Sequence, residues 1–155
     1  MTPNMRIPLL TLSACVLFLA SCTAPAAQEA TEAPHLDVQH YAFGGTAPLS
    51  EAVRVGHTIY LSGKLGIGRD MPRGIEPETR QAMENIKTSL AEKGASMSDV
   101  VKCTVFLADM AEWGAMNAVY GTYFPENPPA RSAVGANGLA ADARVEIECI
   151  AVKGT

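Results

Sequence analysis

The sequence predicts an α+β domain in which two helices cover one face of a mixed β-sheet. Three observations carry this: short runs where apolar and polar residues alternate, two segments with helical apolar spacing set among them, and glycine or proline at the junctions. Each helical segment has one apolar stripe to bury, so both belong on the same side of the sheet.

Ahead of the domain lies a leader. Arg6 is the only charge before the apolar run 7–20 (IPLLTLSACVLFLA), whose length suits a signal-peptide core better than a bilayer span. Residues 1–21 are therefore read as a signal peptide. Its end, Leu19-Ala20-Ser21-Cys22, resembles a bacterial lipoprotein box, which makes Cys22 the expected lipidated N-terminus of an exported protein on the periplasmic side of a membrane. Cleavage near Ala24 or Ala26 would instead release a soluble periplasmic protein. Residues 22–36 are rich in Ala, Pro, Thr and Glu without apolar periodicity and read as a flexible tether, with the folded domain over 37–155.

Within the domain, 52–65 (AVRVGHTIYLSGKL) alternates around Gly56-His57 as a tight hairpin would. A Gly/Pro-rich loop over 66–75 follows, then Pro77 at the first helical position and Ala82, Met83, Ile86 and Leu90 at helical spacing up to Gly94. The β-branched run 100–107 (VVKCTVFL) suits a buried strand. Asp109 and Glu112 have the spacing of a capping pair for a second helix, whose stripe Trp113, Met116, Tyr120, Tyr123 and Phe124 reads as core until Pro125, Pro128 and Pro129 stop it. Strand 131–136, a turn at Asn137-Gly138 and strand 144–152 complete the order β-β-α-β-α-β-β.

The 155 residues, 48% hydrophobic and 18% charged, fit a single domain. Without the leader the charge balance is eleven basic against sixteen acidic residues, or −5, which disfavours broad nucleic-acid binding. His35, His40 and His57 lack metal-ligand spacing, and no phosphate-binding loop or serine-nucleophile motif appears. Cys103 and Cys149 lie in strand-like runs and are expected as buried thiols, although an oxidising compartment permits a disulfide if the strands are neighbours.

The last strand carries chemistry. Val145, Ile147, Cys149 and Ala151 share one face, while Glu146, Glu148, Ile150 and Val152 share the other. Helices on one side would leave Ile150 and Val152 wet, so a second subunit is expected against that face. Glu146 and Glu148 either find cationic partners there, with Arg131 and Lys64 as candidates, or lie at a solvated margin. Arg131, where the proline loop meets a strand, presents a planar guanidinium suited to gripping a carboxylate.

The segments SEAVRVG, IYLSG, TRQAMENIK, GASMSDVVKCTVFLADM, MNAVYGTYF, PPARSAV and VEIECIAV, in this order and spacing over about 40–153, resemble the Rid (YjgF, reactive intermediate deaminase) family. The resemblance implies a chorismate mutase-like fold, a homotrimer with ligand clefts between subunits, and hydrolysis of enamines and imines such as 2-aminoacrylate and 2-iminobutanoate to 2-keto acids and ammonia, with no cofactor or metal. It makes Arg131 the substrate-carboxylate anchor, Ala133 a backbone hydrogen-bonding position and Glu146 the group that positions water. Ser62, Gly63 and Asn117 match cleft-lining positions. Two departures fall in the same cleft: Leu49 stands where deaminating members have Tyr, and Lys64 where they have Gln. Lys64 beside Arg131 would favour a more acidic ligand or pair with Glu146 or Glu148. Other readings of such a trimer are a non-catalytic binder of small carboxylates, a protective chaperone-like protein, or an endoribonuclease.

Overall fold

The computed structural model describes residues 36–154; the expected signal peptide, Cys22 and all of the tether but Leu36 lie outside the described residues. Nine main elements follow one another: β1 (Val38–Ala42), β2 (Ser50–Val55), β3 (Thr58–Leu61), β4 (Lys64–Leu65), α1 (Ile75–Glu92), β5 (Val100–Leu107), α2 (Trp113–Gly121), β6 (Ala130–Gly135) and β7 (Val145–Val152). The seven strands make one mixed sheet in the order β1-β2-β3-β7-β5-β6, with β4 also beside β7. Only β5 and β6, joined through α2, run parallel. Among the described residues no helix is long and apolar enough to cross a membrane.

Alternation makes the core. Val145, Ile147, Cys149 and Ala151 of β7 are buried with Cys103, Val105 and Leu107 of β5 and Ile59 and Leu61 of β3. Ala82, Met83, Ile86 and Leu90 of α1 and Met116 of α2 close over that face. The opposite face is left open, with Tyr60 and Val152 each more than 40% exposed.

Several local expectations are corrected. Residues 131–136 and 144–152 do not form a hairpin: β6 pairs with β5, and β7 inserts between β3 and β5. A crossover through α2 delivers β6 to the sheet edge, so the Asn137-Gly138 signal marks a loop rather than a two-residue turn. Helix α1 starts at Ile75, two residues before Pro77, because the buried Glu78 carboxylate accepts from the Gly74 N–H at 3.2 Å and holds the first turn. Asp109 caps a short 3-10 turn, Met110–Glu112, by accepting from the Ala111 N–H. Glu112 does not reach back to it; its carboxylate turns to Arg144 at 2.6 Å.

Cys103 and Cys149 are a disulfide, not free thiols. They stand directly opposite each other on antiparallel β5 and β7, with Cα atoms 4.1 Å apart and both side chains in the core. The bond closes a separation of 46 residues, which restricts the unfolded chain by roughly 4 kcal/mol in the loop-entropy account. Replacing both cysteines by alanine is expected to lower unfolding free energy by about 2–4 kcal/mol. Denaturant midpoints with and without reductant check this, since reductant should shift only the wild-type curve once unfolding exposes the bond.

Candidate functional site

Arg131 lies on edge strand β6 opposite Cys103, so its side chain emerges on the helix-covered side of the sheet. There α2 receives it. The guanidinium carbon lies 4.7 Å from the centre of the Tyr120 ring and 5.7 Å from that of Trp113. Trp113 and Tyr120 are seven residues apart, two helical turns on one face, which is why both reach the same side chain. Trp113 is 41% exposed and so is not core, as its stripe position suggested; it flanks the cation. Burial pushes the Tyr120 phenol up to about 12, with Arg131 pulling the other way.

Among the described residues, no carboxylate lies within ion-pairing distance of Arg131 and none of its N–H groups has a hydrogen-bond acceptor. A cation seated on aromatic faces with its donors unspent is an anion site in waiting. The cavity beside it, about 300 Å³, is lined by Asn117, Tyr120, Phe124, Pro128, Pro129 and Arg131. The Ala136 N–H donates to Leu107 O at 2.8 Å, so by strand alternation the backbone groups of Arg131 and Ala133 point to the free edge of β6. Arg131, Asn117 and the Ala133 backbone thus belong together.

Glu146 belongs elsewhere. On β7 it pairs with Phe106 of β5 and Leu65 of β4, which puts it on the open face of the sheet, opposite to Arg131. Its carboxylate rests against Gly63: a Cβ at that position would lie 1.9 Å from Glu146 Oε1. With Glu146 in this conformation the missing side chain of Gly63 is what makes room, and a larger residue there would push the carboxylate aside. Ser62, the preceding residue, is spent on structure, its hydroxyl donating to Ser50 O at 2.6 Å and its N–H to Glu51 O at 3.1 Å. Leu49, just before β2, is 46% exposed. Glu148 is also on the open face, in a shallow depression with Tyr60, Lys102, Thr104 and Ile150.

Lys64 departs from its expected place. It pairs with Ile147, on the helix-covered side, and its ammonium meets Glu51 at 2.5 Å rather than Arg131's ligand, Glu146 or Glu148. Glu51 and Ser89 were not singled out by sequence reasoning, and Lys93 stood out only as a cation suited to the end of α1, whereas it also holds the Glu51 carboxylate. Burial alone would push the Glu51 carboxyl up, but bonds from Lys64, Lys93 and Ser89 outweigh it and bring it down to about 2. The candidate site residues therefore fall in two groups on opposite faces of the sheet, one around Arg131 and one around Glu146.

Comparison with known proteins gives one consistent match. The profile of the endoribonuclease L-PSP family covers residues 40–153. The chain is 44% identical over 111 residues to a mouse 2-iminobutanoate/2-iminopropanoate deaminase, covering 69% of this chain and 82% of the mouse protein. Among solved structures it superposes on RidA from an Antarctic Psychrobacter with a TM-score of 0.67 at 35% identity, covering 71% of this chain and 92% of that one. Escherichia coli TdcF, solved with bound serine, matches with a TM-score of 0.67 at 30% identity, covering 72% of this chain and 92% of that one.

The aromatic seat makes a measurable prediction. With pyruvate as a small carboxylate probe of the Arg131 guanidinium, Tyr120→Leu is expected to raise the dissociation constant read by calorimetry about 2- to 30-fold, the range of a cation–π contact, while Tyr120→Phe stays near wild type. Glu51 makes another. Its folded pKa of about 2 lies below the ordinary 4.5, so the stability it contributes is complete above about pH 4.5 and is lost as pH falls toward 2. Thermal melts between those values should show this decline in wild type and a flatter profile in Glu51→Gln.

Proposed function

The chain belongs to the Rid/YjgF (endoribonuclease L-PSP) family, and from that premise we propose that it hydrolyses small 2-imino acids, the tautomers of enamines such as 2-aminoacrylate and 2-iminobutanoate's own enamine, to 2-keto acids and ammonia. The observation that carries this reading is Arg131: a guanidinium held on Tyr120 and Trp113 beside a small cavity, with its donors free for a carboxylate. The deaminase relatives and the relative solved with a bound amino acid support a ligand of this class.

The chemistry follows from the groups available. Arg131 grips the substrate carboxylate through two parallel hydrogen bonds and fixes the imine carbon relative to the β6 edge. The backbone at Ala133, at that free edge, hydrogen-bonds the imine nitrogen or the amine that develops from it. Glu146 orients a water and takes a proton from it as its oxygen bonds to the imine carbon, giving a carbinolamine. Proton transfer to the nitrogen, breakage of the C–N bond and loss of the hydroxyl proton release ammonia and leave the keto acid. Imine and water are consumed and keto acid and ammonia formed, with no redox change.

Because Arg131 and Glu146 lie on opposite faces of the sheet, one chain cannot bring them to the same imine. A second copy completes the site: Arg131, Asn117 and Ala133 of one protomer meet Glu146, Gly63 and Leu49 of its neighbour in a homotrimer. The open sheet face, with Tyr60, Phe106, Ile150 and Val152, supplies the apolar surface for that assembly. Leu49 supplies an apolar wall in place of a hydroxyl. Lys64 does not enter the cleft, so its presence does not call for a more acidic ligand.

We further propose that the protein works in an oxidising compartment, exported by residues 1–21 and anchored through Cys22. The Cys103–Cys149 disulfide supports this, since such bonds persist outside the reducing cytosol.

Ammonia release from freshly generated 2-aminoacrylate and 2-iminobutanoate tests the reaction. Arg131→Ala is expected to lower kcat/KM by more than about 10²-fold, and Glu146→Gln to lower kcat by about 10²- to 10⁴-fold. Mixing the two inactive variants under conditions that exchange subunits should restore part of the activity, because some interfaces then hold an intact arginine opposite an intact glutamate. Wild type inert on both substrates would sink the deaminase reading; failure of the mixture to regain activity would sink the split site.

A further inference from the structure

We infer that Glu51 is a positioning residue for Glu146, acting through the Ser62–Gly63 segment; the inference deepens the deaminase reading above and rests on it. Strand pairing between β1 and β2 slips at Tyr41 and Ala42, which face Ala52 and Ser50 respectively, so that Glu51 is the extra residue of a bulge. A bulged residue escapes strict alternation and can re-aim its side chain. The Glu51 carboxylate turns to Lys64 Nζ at 2.5 Å, Ser89 Oγ at 2.5 Å and the Lys93 ammonium. One carboxylate thereby ties β2 to β4 and to the end of α1.

The same bulge holds the start of the β3–β4 connection. Ser50 O and Glu51 O accept both hydrogen bonds of Ser62, and the Glu51 side chain holds Lys64. Gly63 is clamped between these two anchored neighbours, and the Glu146 carboxylate lies against it with no room for a Cβ. Among the described residues Lys64 has no carboxylate partner but Glu51, while Lys93 also has the exposed Glu92 carboxylate at 3.9 Å. Lys93 is 7% exposed, donates to Ser89 O and Oγ at 3.2 Å, and lies 4.9 Å over the Tyr41 ring, while Arg54 donates to the Lys93 carbonyl. Two ammonium groups share the one carboxylate, so its removal leaves Lys64 without its counter-charge and Lys93 with only the more distant Glu92. An ångström of drift at Gly63 would move the platform beneath Glu146, and misplacement on that scale costs on the order of 10²-fold in rate. Arg131 is on the other face and would be untouched, so carboxylate binding should survive.

The test is Glu51→Gln in the full chain, with Glu51→Gln/Lys93→Met as a second variant that removes one stranded cation and keeps the fold within reach. Imine hydrolysis is expected to lose about 10- to 100-fold in kcat in both variants with KM within about 2-fold of wild type. The Gly63 amide and the Glu146 side-chain carboxyl resonances, followed by NMR in selectively labelled protein, are expected to shift in both. Resonances that match wild type, or unchanged kcat in a variant with a lower melting temperature, would overturn the inference and leave Glu51 a purely structural ion pair. Wild-type protein that hydrolyses no imine would defeat the deaminase reading, while the resonances would still decide whether Glu51 positions Glu146.

Discussion

The two-residue period of strand β7, wedged between β3 and β5, governs the rest of the molecule. Its odd-numbered residues must fill the core beneath α1 and α2, which drives Glu146 and Glu148 to the face that no helix covers among the described residues. Register then carries the constraint across β5 to β6 and places Arg131 on the other side. A slip of one residue anywhere in that ladder would bury carboxylates and expose the core, so separation of acid from cation is a property of the fold rather than of local loop choice.

Ionic groups in this chain are sorted by how completely they are satisfied. Glu78, fully buried, accepts from the Gly74 and Arg144 N–H groups and pairs with Arg73. Glu51 is shared by two lysines and a serine. Arg131 instead has aromatic rings for company, which support a cation without using its donors. That contrast separates groups that hold the structure together from one that remains available to a ligand.

Much of this was legible in the residues themselves. The apolar spacing of α1, the β-branched run of β5 and the alternation of β7 each bury enough side chain to leave a clear pattern. Strand β1 left none, because VQHYA is almost wholly exposed, and β4 is only two residues long. The parallel pairing of β6 with β5 depends on a crossover, whereas Asn137-Gly138 is a local hairpin signal that long-range pairing overrode. Arg131, Asn117, Gly63 and Glu146 were named from motifs, but their division between two faces needed the strand register. Lys64 was misplaced for the same reason: it follows Gly63 in sequence, yet pleating turns it inward. The bulge that re-aims Glu51 has no sequence signature here, while the i, i+7 spacing of Trp113 and Tyr120 was a readable sign of a shared helix face.

The cysteine pair has one more implication. Cys103 and Cys149 face each other only when β7 lies against β5 in its native register. A misaligned β7 would point one sulfur away from the other. The sulfur–sulfur bond is therefore a covalent pin on the β5–β7 register, the same register that sets Glu146 and Arg131 on opposite sides of the sheet.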